Sequence, residues 1–212
     1  MQNEIFDRTE AIEEIYLILA EFYKFPTEDF YQEVIDGTVD HRLQELWELA
    51  GYRSYPIALK DYVHQFSEMK QSYMECFMGI TKPYAPPVES VYKVWTTDPS
   101  AELSIARSKG YFMGDSALHI RYLFEQFKVQ VPEEYQNMPD HLTLLLEFLS
   151  YLLKEDQKEF SKQFIVDHLD WLDDFKSELA KLKQSTLFVE VTNLVQQAVE
   201  GELKHLEEKS NL

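Results

Sequence analysis

At 212 residues the chain can bury one sizeable core, and an apolar content of 45% excludes intrinsic disorder. A net charge of −18 repels phosphate backbones, which argues against nucleic acid as a partner and favours basic peptides. One cysteine, Cys76, excludes an internal disulfide and suits a reducing compartment.

Helical periodicity dominates the sequence. Ile12, Ile15, Tyr16, Leu19 and Tyr23 share one stripe and predict an amphipathic helix over 4–24, stopped near Pro26. Thr27 then caps a shorter helix, with Asp29 in its first turn and Gly37 at its end. A helix over 40–49 follows, and a longer one over 55–78 that places Tyr62, Phe66 and Phe77 in the core. Cys76 reads as a buried apolar residue of that helix.

Gly79 opens a stiff, aromatic connector over 79–99, in which Pro83, Pro86 and Pro87 fix the backbone. Asp98-Pro99-Ser100 predicts a helix through Lys109. Gly110 and Gly114 flank an aromatic turn, and Asp115 or Ser116 caps a helix to about Lys128 with Leu118, Tyr122 and Phe127 on its apolar side. After a second connector comes the most apolar helix, whose leucines lie on nearly every face between Leu142 and Leu153, so it is expected at the centre of the core. Amphipathic segments over 157–183 and 186–207 close the chain. The reading is one all-α domain over 1–212 of about ten helices, with N-terminal helices over 1–78 and C-terminal helices over 100–207.

No signal peptide is legible at the acidic N-terminus, and the apolar helix is too short to span a bilayer; a soluble cytoplasmic protein is expected, with no membrane insertion. Zinc spacings, phosphate loops and a nucleophile elbow are all missing, and His41, His64, His119, His168 and His205 stand singly, so neither metal, cofactor nor catalytic residue is expected. Asp140-His141 opens the apolar helix directly after Pro139. An Asp there caps the helix and complements its dipole; it can equally place an anion at the mouth of a cleft. Glu147, the one charge between His141 and Leu153, calls for an ion pair, with Arg107 or Arg121 as the expected partner. Glu89 is either a local cap or a ligand-facing anion.

Three pieces in order resemble the TorD/DmsD-type redox-enzyme maturation chaperones. They are the run YMECFMGITKPYAPPVESVY from Tyr73 to Tyr92, the helix start Met113-Gly114-Asp115-Ser116, and Pro139-Asp140-His141-Leu142 followed by Glu147-Phe148. The sequence departs from that family at Met138, where many members carry an acid, and at Leu145, where members often carry a second Glu. The resemblance implies a cytoplasmic chaperone rather than an enzyme. Its partners would be the twin-arginine leader of a molybdenum enzyme and that enzyme's apo catalytic subunit, held until the cofactor is inserted. Some members are homodimers, including domain-swapped ones, and nucleotide binding has been proposed for some.

On this reading Asp140, with Glu89 as a second acceptor, receives the arginines of the leader, and a neutral His141 stands beside them. Tyr84, Val91, Tyr92 and Trp95 take its apolar part. The alternatives are a helical scaffold indifferent to leaders, and an enzyme using Asp140 and His141 as an acid–base pair.

Overall fold

Helix α1 (Arg8–Glu21) starts at a capping box: Asp7 accepts from the Glu10 backbone N–H, and the Glu10 carboxylate accepts from that of Asp7. The computed structural model describes residues 7–53 and 57–210, so the expected start of this helix at residue 4 lies outside the described residues. Thr27 caps α2 (Glu28–Ile35) through the Phe30 N–H, as its position suggested, and α3 (Thr38–Ala50) follows.

The long helix expected over 55–78 is broken. Leu59–Tyr62 form a 3-10 turn whose first N–H groups donate to the buried Asp40 carboxylate, at 2.7 Å from Leu59 and 3.2 Å from Lys60. That anchorage holds the turn to α3 and takes its backbone donors out of any longer helix, which begins only at α4 (Phe66–Phe77). Tyr62 is consequently exposed, Phe66 is half-buried, and Phe77 and Cys76 are buried.

The connector contains one turn of helix, α5 (Glu89–Tyr92). The helix expected over 100–109 does not form. Arg107 instead donates to the Thr96 and Asp98 carbonyls, and the backbone pairs Trp95 with Ser108 and Thr96 with Ala106, folding the segment back as a loop. Helix α6 (Asp115–Gln126) buries Ala117, Ile120, Leu123 and Phe124. Leu118 and Tyr122, expected on the apolar side, are exposed. Phe127, just past the helix end, packs on Phe148 and Phe160.

Helix α7 (Leu142–Lys154) lies at the centre, as expected, with nine of its thirteen residues buried. It runs antiparallel to α1: Thr143 Oγ1 donates to the Ala20 carbonyl and Ser150 Oγ to that of Glu13. Leu145 is fully buried, so an acid at this position would have to ionise inside the core. The amphipathic segment after it divides at residues 169–171 into α8 (Lys158–His168) and α9 (Leu172–Leu179), where the Trp171 indole N–H closes on the His168 carbonyl at 2.7 Å. Helix α10 (Thr186–Ser210) packs across α1, α8 and α9. The all-α expectation holds: among the described residues there are ten α-helices, and the only β pairing is a single bridge.

Candidate functional site

That bridge organises the site. Residues 87–90, from the connector, lie against residues 140–142, at the entry to α7. Leu142 N–H donates to the Pro87 carbonyl at 2.8 Å, Glu89 N–H to the Asp140 carbonyl at 3.1 Å, and Val88 pairs antiparallel with His141. The Asp140 carboxylate accepts from the Ser90 N–H at 2.6 Å. It therefore caps α5, an element fifty residues earlier, rather than its own helix. Burial pushes its pKa up to about 6, against the hydrogen bonds from Ser90.

The cap of α7 is His141. Its Nδ1 accepts from the Thr143 N–H at 3.3 Å, and its ring lies 4.8 Å from that of Tyr135. Burial lowers the imidazole to about 3, so it stands neutral near pH 7.

In front of this strap opens a groove of about 740 Å³. Buried Tyr73, Phe77, Val88, His141 and Leu144 form its depth, and the half-exposed Phe25, Met78 and Phe112 stand at its mouth. Tyr84, Pro86, Pro87, Tyr135 and Met138 complete the walls. The Tyr84 ring lies over Gly79, where φ is +66° and an added Cβ would come within 3.1 Å of the ring. Ala85 N–H donates to the Cys76 carbonyl at 2.7 Å, fixing the connector on the end of α4. Lys24, Glu134 and Glu147 supply the charge of the lining. Glu147 pairs with Lys24 at 2.8 Å, not with Arg107 or Arg121, because its helix lies against the end of α1. A second hollow of about 700 Å³, between α3 and α10, has a mixed polar and apolar wall that includes Arg8, Trp47, Tyr52 and Lys204.

Of the peptide-binding residues expected from the sequence, Tyr84 and His141 line the groove. Asp140 lies behind its wall, fully buried. Tyr92 is buried, stacked on Trp171 at a centroid distance of 5.2 Å, and Val91 packs against the core. Trp95 is half-buried, and its indole N–H donates to the carbonyl of Phe112, which itself lines the groove.

Glu89 is fully buried in a chain of polar groups. Lys93 Nζ stands 2.9 Å from its carboxylate, and His168 Nδ1 stands 3.0 Å from it. His168 Nε2 in turn lies 2.8 Å from His119 Nδ1, on the exposed side of α6. Spacing alone could not pair these histidines, since they come from helices 49 residues apart. Among the described residues, no three His, Cys, Asp or Glu side chains converge as a metal site, and no helix is long and apolar enough to cross a membrane.

What sequence reasoning missed is the mouth of the groove. Phe25, Met78 and Phe112 each sit one to four residues beyond a helix or in a bend, where periodicity assigns no face. The signal available was an aromatic or methionine next to a helix stop.

Comparison with known proteins places these features in a family. The model for the nitrate reductase delta subunit family matches residues 35–181. Chaperone protein TorD of Shewanella piezotolerans is 24% identical over 144 residues, which cover 68% of this chain and 64% of that protein. The matched stretch is thus just under two-thirds of that relative's length.

Proposed function

Because the chain belongs to the nitrate reductase delta subunit family, we propose that it is a cytoplasmic chaperone, not an enzyme, that holds the twin-arginine leader and the apo catalytic subunit of a molybdenum enzyme until maturation is complete. The observation that carries this reading is the aromatic, proline-walled groove with carboxylates in its lining. An apolar helix-forming segment gains about 25 cal/mol for each Å² it removes from water in such a groove. The walls are held by backbone bonds on both sides of the strap, so the surface is largely preformed and little ordering opposes binding. The net charge of −18 speeds the encounter with a basic leader.

In this reading the leader's apolar part lies across Phe25, Tyr84, Tyr135 and Leu144. Asp140 acts from behind, by fixing α5 and the strap. An acid–base role for Asp140 and His141 has less support. One is fully buried and engaged with Ser90, and the other gives its Nδ1 to Thr143.

The test is calorimetry with a synthetic twin-arginine leader peptide against the wild type and Tyr84→Ala. Binding should fall with added salt, and the variant should weaken it about tenfold. Equal affinity for both proteins would remove the groove from the reading. A pull-down from native cytosol should bring a molybdoenzyme catalytic subunit with it.

A further inference from the structure

The groove carries a cation of its own. Lys24 follows the last turn of α1, and its Nζ stands 2.8 Å from Glu21 Oε2 and 2.8 Å from Glu147 Oε1. Glu134, exposed, lines the same groove. Lys24, Glu134 and Glu147 act on one spot: the Tyr135 hydroxyl, whose pKa is raised first by burial, also feels the ammonium and both carboxylates. Two carboxylates thus hold one ammonium at an apolar groove that a third, Glu134, also lines.

An ammonium is a compact point donor. A guanidinium presents five N–H groups in a planar fork and meets a carboxylate through two parallel bonds. A lysine arriving at Glu147 would only replace one ammonium by another. An arginine would gain the fork. Lys24 need not be stranded by the exchange, because it already touches Glu21.

We propose that Lys24 is a built-in competitor that makes the groove selective for arginine: a peptide guanidinium takes Glu147 and reaches Glu134, while Lys24 falls back on Glu21. The inference rests on the leader-binding reading and names the residues that would read the leader's charge. Removing Lys24 leaves Glu147 open to any cation, so discrimination, rather than affinity alone, is what it controls.

Three synthetic peptides with one leucine-rich segment, preceded by Arg-Arg, Lys-Lys or Gln-Gln, are titrated calorimetrically into wild type, Lys24→Met, Glu147→Gln and Phe25→Ala. The wild type should prefer the arginine peptide to the lysine peptide by about tenfold. Lys24→Met should tighten the lysine peptide most and bring the two within about threefold of each other. Glu147→Gln should weaken the arginine peptide about tenfold and leave the glutamine peptide unchanged. Phe25→Ala should weaken all three together.

An arginine-to-lysine ratio that is the same in wild type and Lys24→Met overturns the inference and leaves Lys24 a staple between α1 and α7. Unchanged arginine affinity in Glu147→Gln overturns it independently, without relying on the stability of the lysine variant. If both variants are silent while Phe25→Ala weakens every peptide, the leader-binding reading stands without this refinement. If no peptide binds the wild type, both fall.

Discussion

His141→Asn separates the two things His141 does at the start of α7. Asparagine is itself a good N-cap and can take over the Thr143 N–H, while the titrating ring is gone. In the folded protein burial holds the imidazole down at about 3, against 6.5 unperturbed. The folded pKa lies below the unfolded one, so the contribution of the neutral ring is complete above the unfolded value and is lost as pH falls through 6.5 toward 3. Each pH unit in that window costs about 1.4 kcal/mol, so going from neutrality to about pH 4.5 should cost the wild type about 2–3 kcal/mol that the variant does not lose. Denaturant unfolding of both proteins across that range gives the difference directly. Asp140 titrates in both proteins and cancels. The ring contact with Tyr135 is lost at every pH, which displaces the difference without tilting it. A difference that stays flat with pH, or that moves against the wild type as pH rises, would refute a buried neutral His141.

Asp140→Asn should tilt the other way. The carboxyl's pKa is raised to about 6, so its contribution is full below 3.8 and lost as pH rises through 6. Relative to wild type the variant should therefore gain about 3 kcal/mol between about pH 4 and pH 7 in the same unfolding measurement. Leu145→Glu should cost at least about 4 kcal/mol at neutral pH, because a carboxylate there has no solvent and no partner; circular dichroism melts will show it. Gly114→Ala should cost about 2 kcal/mol, since its Cβ would sit 2.6 Å from the Trp95 carbonyl oxygen, and backbone cannot yield as a side chain does. Hydrogen exchange should place that loss around Trp95 and Asp115, whose N–H donates to the same carbonyl.

Much of the fold could be read from periodicity, because burial and helical spacing are the same fact for a residue such as Leu19 or Leu149. The failures share a cause. Helix 55–78 broke where Asp40, nineteen residues before Leu59, captured backbone donors, and the 100–109 helix was pre-empted by Arg107. Leu118 and Tyr122 show the converse: a stripe of apolar residues does not say which side of α6 meets the core when Ala117, Ile120 and Phe124 offer another. Local pattern carries no information about such distant partners. The same holds at the site. Connector and helix entry were legible as special segments, but the bond from Ser90 to Asp140 and the stacking of Tyr92 on Trp171 turn both toward the interior. The exposed Phe25 and Met78 became visible only once the chain ends of α1 and α4 were side by side.

The strap also sets a schedule. Pro87 and Val88 on one side of the strap meet His141 and Leu142, more than fifty positions later, on the other, and the bonds between them need both segments. During synthesis the hollow has no second side until α7 has left the ribosome and docked antiparallel on α1. On the proposed function, a half-made copy has no finished groove with which to grip a client, and nascent chains would not compete with finished ones.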